Sequence, residues 1–188
     1  METLFGESEV VTPQKLRIER VWSMPNRDTF SIPPIRAFVE KYLSKSKVSV
    51  DPYARNTKLA TYTNDLNPQT SAQYHMDSED FLKKLQLDGV KADLVIIDPP
   101  YSPRQVKECY DGIGIKMKQK EALLGAVRGR LRAAINPILS PDGIVLWFGW
   151  NTTGMGKKYG FEMLEIMLVC HGSDHNDTLC FAERRSRP

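Results

Sequence analysis

Cysteine is scarce. Cys109, Cys170 and Cys180 are three scattered residues in a chain of 188, too few and too irregular for a disulfide framework, and no Cys-x-x-Cys pair marks a metal site. Cys170 and His171 adjoin and His175 follows closely, but Cys170 ends an apolar strand pattern, so a buried thiol is expected there and no metal centre. Apolar runs of membrane-spanning length are also missing, as is a basic N-terminal region followed by an apolar stretch, so the expectation is a cytoplasmic protein with no membrane partner. Strong charge of either sign is missing too. A formal net charge of +3 permits nucleic-acid binding but argues for it only where cations cluster. What remains, 41% hydrophobic and 26% charged residues, is the balance of one globular domain with its own core, with no length left for a second.

The most informative stretch is Leu94-Val95-Ile96-Ile97-Asp98-Pro99-Pro100-Tyr101. Its apolar run is long enough for a strand buried on both faces and too short for a helix with its own core. Pro99 and Pro100 cannot donate to a ladder and hold the residues before them extended, so the strand stops with Asp98 at its carboxyl tip. That is where open α/β sheets bind ligands. A nucleobase amine is a poor nucleophile because its lone pair is delocalised into the ring. A carboxylate at Asp98 and the carbonyl of Pro99 can accept its two hydrogens and expose the lone pair, while Tyr101 offers a face to the base. A base reached in this way has left its duplex or comes from a single strand.

Asp-Pro-Pro-Tyr after a hydrophobic strand resembles the catalytic motif of the amino-methyltransferases, and with aspartate and tyrosine it resembles the DNA adenine-N6 enzymes most. The resemblance implies S-adenosylmethionine as cofactor, DNA as substrate, and Asp98, Pro99, Pro100 and Tyr101 as the catalytic set. It also implies cofactor contacts along the chain. Phe30 and Ser31 resemble a cofactor-binding segment. Asp51-Pro52-Tyr53 resembles the Asp-Pro-Phe that ends the first sheet strand, Asp65 takes the place of a ribose ligand, and Asp77 with Ser78 stands where the cofactor adenine is contacted. One departure is clear. Arg55-Asn56-Thr57 stand where the family has a glycine-rich turn, so either Asn56 supplies a left-handed residue or the turn is built differently. The alternatives are an RNA amino-methyltransferase, acting on guanine N2 or adenine N6, and a catalytically inactive nucleic-acid-binding module of the same fold.

Hydrophobic periodicity supplies the rest. An edge strand or arm is expected around Leu16–Trp22, a helix over 33–44, a short strand at Val48–Asp51, a strand over Ala60–Asp65 reached by a shortened crossover, and a third short strand at Gln73–Asp77 leading into a helix over 78–85. Beyond the motif come a helix over 121–139, closed by Ser140-Pro141-Asp142-Gly143, and three strands, the last two an antiparallel hairpin at one edge. This predicts a three-layer α/β domain with a mostly parallel sheet of about seven strands, matching the Rossmann-like methyltransferase fold. Residues 1–27 read as an N-terminal arm, 28–184 as the catalytic domain and 185–188 as a basic tail. Residues 102–120 carry five basic and two acidic side chains, and read as a mobile loop whose Arg104, Lys107, Lys116, Lys118 and Lys120 touch phosphates. No recognition domain is left over. Little or short sequence specificity is therefore expected from the chain alone, unless a homodimer or a separate subunit supplies it.

Overall fold

The computed structural model describes residues 15–116 and 124–186. Among these residues seven strands form one sheet: β1 (Arg17–Trp22), β2 (Ser49–Asp51), β3 (Tyr62–Thr63), β4 (Ala92–Ile97), β5 (Leu139–Gly149), β6 (Phe161–Cys170) and β7 (Thr178–Arg185), in the spatial order β1-β6-β7-β5-β4-β2-β3. Every neighbouring pair is parallel except those made by β7, which lies antiparallel between β5 and β6. The β6–β7 hairpin is thus bordered on its outer side by β1, which pairs parallel to β6 in register from Arg17 opposite Glu165 to Trp22 opposite Cys170.

Helices flank the sheet on both faces. On one side α1 (Pro33–Leu43) starts at two prolines, whose fixed φ suits a first turn that has no donor to satisfy, and buries Ile35, Phe38, Val39 and Tyr42 against Leu94, Ile96, Leu146 and Val169. Each fully buried large apolar side chain contributes roughly 1.5–3 kcal/mol, so these four dominate the docking of the helix. On the other side α2 (Ser78–Leu87) and α4 (Leu124–Ile138) present Phe81, Leu82, Leu85, Leu131 and Ile135 to Val50, Val95, Ile97, Val145 and Trp147. Strand β4, buried on both faces, lies between these layers, and its carboxyl end therefore has a fixed position.

Several expectations are refined. The crossover from β2 to β3 contains no helix, as the spacing required, but the third short strand at 73–77 is reduced to one bridge between Asn64 and Tyr74. The turn residues 140–143 lie within β5 as a bulge: Ala92 faces Leu139 and Leu94 faces Ile144, so the intervening residues loop out of register. Gly143 is required there, because a Cβ would stand 2.6 Å from Leu139 Cγ. The segment read as a mobile basic loop is a helix over much of its length, α3 (Pro103–Gly112), with Ser102 as its N-cap. Its charges are spaced i, i+4 and satisfy one another along the helix, which a count of basic against acidic residues does not show.

Candidate functional site

A cavity of about 940 Å³ opens across the carboxyl ends of the parallel strands. Asp98, Pro99, Pro100 and Tyr101 all line it, brought there by the abrupt end of β4. Tyr101 does not extend freely into the cavity. The Gln105 side chain accepts from its backbone N–H at 2.6 Å, turning the chain back, and the Tyr101 hydroxyl donates to Asp98 Oδ1 at 2.5 Å. Its ring stands edge-on to Trp150, with centroids 5.8 Å apart and planes at 67°. Burial pushes the Asp98 carboxyl above the usual range, while hydrogen bonds from Tyr101 and Thr29 and the charge of Arg55 oppose the shift. Burial and the adjacent Asp98 likewise push the Tyr101 phenol up, so the phenol keeps its proton and remains a donor to the carboxylate.

Of the residues placed at the cofactor, Pro52, Tyr53, Asp65, Asp77 and Ser78 line the cavity. Asp65 Oδ2 accepts from the Arg55 backbone N–H at 3.1 Å and Oδ1 from Asn67 at 2.8 Å, so the carboxylate fastens its own turn while facing the cavity. Asp77 caps α2 through the Glu79 N–H at 2.9 Å, and the hydroxyls of Tyr53 and Ser78 are 2.9 Å apart.

Three residues named from the resemblance are placed elsewhere. Phe30 is buried in the core, edge to face with Phe148 at 5.2 Å, and Ser31 points to solvent, its hydroxyl on the Asp28 carbonyl. The 3-10 turn at Thr29–Ser31 rotates successive side chains apart, and it is Thr29, with Ile32 just beyond, that lines the cavity. Asp51 is fully buried beneath the cavity rather than on its wall. One of its oxygens accepts from the Tyr53 N–H at 2.9 Å and the other, Oδ2, has no hydrogen-bond partner among the described residues. Burial, with Asp98 and Asp65 adding repulsion, pushes its pKa up from 3.8 to about 8.

The turn after β2 is built without glycine. Arg55, not Asn56, takes the left-handed conformation at φ 50°. Its guanidinium donates to the Arg27 carbonyl at 2.7 Å and reaches Asp28 at 3.1 Å, tying down the 25–28 segment that forms one rim of the cavity. Strain of about 1–2 kcal/mol at a non-glycine residue is thus set against a clamp that glycine cannot make.

Sequence reasoning missed four more residues. Asn64, fully buried, donates to the Pro52 carbonyl at 3.2 Å and the Met76 carbonyl at 3.0 Å and accepts from the Met76 N–H at 3.1 Å, holding three cavity-lining turns together. Trp150 follows directly from β5, and Arg128 reaches the same wall from α4, donating to Asn151 at 2.8 Å. Arg27 also lines the cavity. No ion pair engages Arg27 or Arg128 among the described residues. Of the cations assigned to phosphate, Arg104 pairs with Glu108 at 2.7 Å and Lys107 pairs with Asp111, both one helical turn on, and Lys116 is exposed. None of the three lines the cavity, and Lys118 and Lys120 lie outside the described residues. The Cys170 thiol is buried and accepts from Arg20 at 3.1 Å, while both ring nitrogens of His171 are engaged, by Ser23 and Thr178.

No protein-family model matches the sequence, and no curated protein does. Solved structures do match by fold. SMU.776, a methyltransferase by designation complexed with SAH, superposes with a TM-score of 0.55 at 14% identity over 79% of this chain and 48% of its own. TrmN from Thermus thermophilus gives 0.54 at 13% over 82% and 49%, and NSun6 from Pyrococcus horikoshii with SFG gives 0.51 at 12% over 80% and 51%. The chain spans about half the length of each of these proteins. With β7 inserted antiparallel in an otherwise largely parallel sheet, and with these neighbours, the chain has the Rossmann-like methyltransferase fold.

Proposed function

We propose that this chain is an S-adenosylmethionine-dependent amino-methyltransferase whose substrate is the N6 amine of adenine in DNA. The observation that carries the reading is Asp98, held at the tip of β4 on the wall of a cavity large enough for a nucleoside cofactor and a second base. The lining suits a cationic cofactor. Asp65 and Asp77 face the cavity, and carboxylates on its wall favour positive charge there. Asp65 would take the ribose hydroxyls, Asp77 and Ser78 the adenine, and Pro52 and Tyr53 the wall between them. When bound, S-adenosylmethionine would supply an electrophilic methyl group on a sulfonium, the S–C bond breaking as the methyl is taken and its electron pair staying on sulfur as a neutral thioether.

The chain's own residues then make the amine reactive. The Asp98 carboxylate accepts one amine hydrogen and the Pro99 carbonyl the other, which draws the nitrogen toward a tetrahedral shape and frees its lone pair to form the new N–C bond. The proton displaced from nitrogen passes to Asp98, whose raised affinity for protons suits it to receive one. The Tyr101 hydroxyl fixes the orientation of that carboxylate, and the Tyr101 ring with Trp150 offers the target base an aromatic corner. Arg27 and Arg128, both lining the cavity, are placed to meet the phosphates flanking a base that has left its stack.

The test is transfer of labelled methyl from S-adenosylmethionine to DNA, RNA and protein pools, followed by digestion and nucleoside analysis. N6-methyl-2′-deoxyadenosine in the DNA digest supports the reading in full. Label in RNA alone transfers it to the RNA alternative, and no label with a bound cofactor leaves only the binding module.

A further inference from the structure

The outermost strand presents an unusual face. In β1 the side chains of Ile18, Arg20 and Trp22 share one side, and Ile18 is 70% and Trp22 66% exposed, with Met24 just beyond at 63%. The register continues this stripe onto β6, where Ile166 opposite Ile18 and Leu168 opposite Arg20 are only partly buried. This is the side that α2 and α4 cover over the middle of the sheet. The connection from β5 to β6 holds only a 3-10 turn, Lys157–Tyr159, so no helix of that connection reaches the outer strands.

Among the described residues nothing pairs with the strand's outer edge. The Ser23 N–H donates to the Cys170 carbonyl at 3.1 Å, which turns the backbone groups of odd-numbered residues toward β6 and those of Ile18, Arg20 and Trp22 outward. Edge strands are commonly guarded by charge of one sign, but here Arg17 and Glu19 are opposite in sign and two residues apart.

We propose that β1 pairs antiparallel with β1 of a second copy of this chain, about a two-fold axis through Ile18, joining two sheets into one. In that register Ile18 faces Ile18, Leu16 faces Arg20, and Arg17 faces Glu19 twice, so unlike charges meet at each repeat. Registers centred on Glu19 or Arg20 set like charges opposite each other on the axis. The outward backbone groups of Leu16, Ile18 and Arg20 then find partners, and the exposed apolar side chains of the two copies form one stripe. This dimer is independent of methyl transfer.

Sedimentation of the full chain over a range of micromolar concentrations tests it. The wild type is expected to form a dimer. Ile18→Pro removes an outward donor without touching the β1–β6 ladder, and should raise the dissociation constant by about tenfold or more while the circular dichroism stays that of the wild type. Glu19→Arg sets Arg17 against an arginine of the second copy at each repeat and leaves the Arg17 contact with Glu165, 3.5 Å away, in place; it should weaken the dimer, and raised salt, which screens the repulsion, should strengthen it again, a rescue that a merely misfolded variant does not give. A wild type that stays monomeric throughout, a folded Ile18→Pro protein that dimerises as well as wild type, or a Glu19→Arg protein that dimerises as well as wild type or does not respond to salt overturns the proposal.

Discussion

Replacing Asp51 by asparagine should make the cofactor-free protein more stable at neutral pH and less stable in acid. Asp51 is fully buried, one oxygen lacks a partner among the described residues, and its pKa rises from 3.8 to about 8. The folded state therefore holds a proton that the unfolded chain has already lost, and the sign follows. Below the unfolded value the carboxyl costs nothing extra; stability falls as pH rises through the interval and levels off above about 8. Between the ordinary carboxyl value and pH 7 lie roughly three pH units, each worth about 1.4 kcal/mol, so the group costs about 4 kcal/mol at neutrality. Asparagine removes that cost but places an amide donor where Oδ2 had no partner, a penalty of roughly 1–3 kcal/mol. The net effect is a gain of roughly 1–3 kcal/mol at pH 7, turning into a loss near pH 4. Denaturant unfolding of both proteins between those pH values is the assay. A difference of constant sign and size across the range would refute the argument, because it would mean that Asp51 ionises in the folded protein as it does in water.

Other expectations follow from the site. Tyr101→Phe removes the hydrogen bond that favours ionised Asp98, so the acid limb of kcat should move to higher pH while base affinity is kept, whereas Tyr101→Ala should also lose roughly 1–3 kcal/mol of stacking; identical pH profiles for wild type and Tyr101→Phe would remove the positioning role of the hydroxyl. Asp65→Ala should raise the S-adenosylmethionine dissociation constant measured by calorimetry with little change in DNA affinity, and an unchanged constant would take Asp65 out of the cofactor site. Arg128→Ala should weaken DNA binding and flatten its salt dependence more than Arg104→Ala does, since Arg104 is engaged with Glu108; the reverse order would return the phosphate contacts to α3.

The architecture was legible because its signals are collective. Apolar runs at 92–97, 144–149 and 161–170 become strands, and α1 and α2 appear within a few residues of their periodic patterns. Asp98 was legible because two prolines fix where β4 must stop. The residues proposed for the cofactor were less so. A single step within a 3-10 turn decides whether Thr29 or Phe30 faces the cavity, and no periodicity reports on so short an element. Asp51 stands at the end of a strand buried on both faces, and the sequence shows its position but not its depth. Trp150, Arg128 and Asn64 belong to no motif; they meet the site because strand order brings the ends of β5, β3 and the start of α4 to one edge. The basic segment misled for a different reason, since charge composition alone does not reveal that Arg104 and Lys107 face their carboxylates one turn away.

The central claim is that Asp98 acts on a nucleobase amine and not on the fold. It is tested most directly by single-turnover transfer of labelled methyl from S-adenosylmethionine to single-stranded DNA, comparing wild type with Asp98→Ala at matched cofactor saturation. N6-methyl-2′-deoxyadenosine is expected from the wild type, and from Asp98→Ala a folded, cofactor-binding protein without detectable transfer. Transfer by Asp98→Ala at a rate near that of the wild type would contradict it.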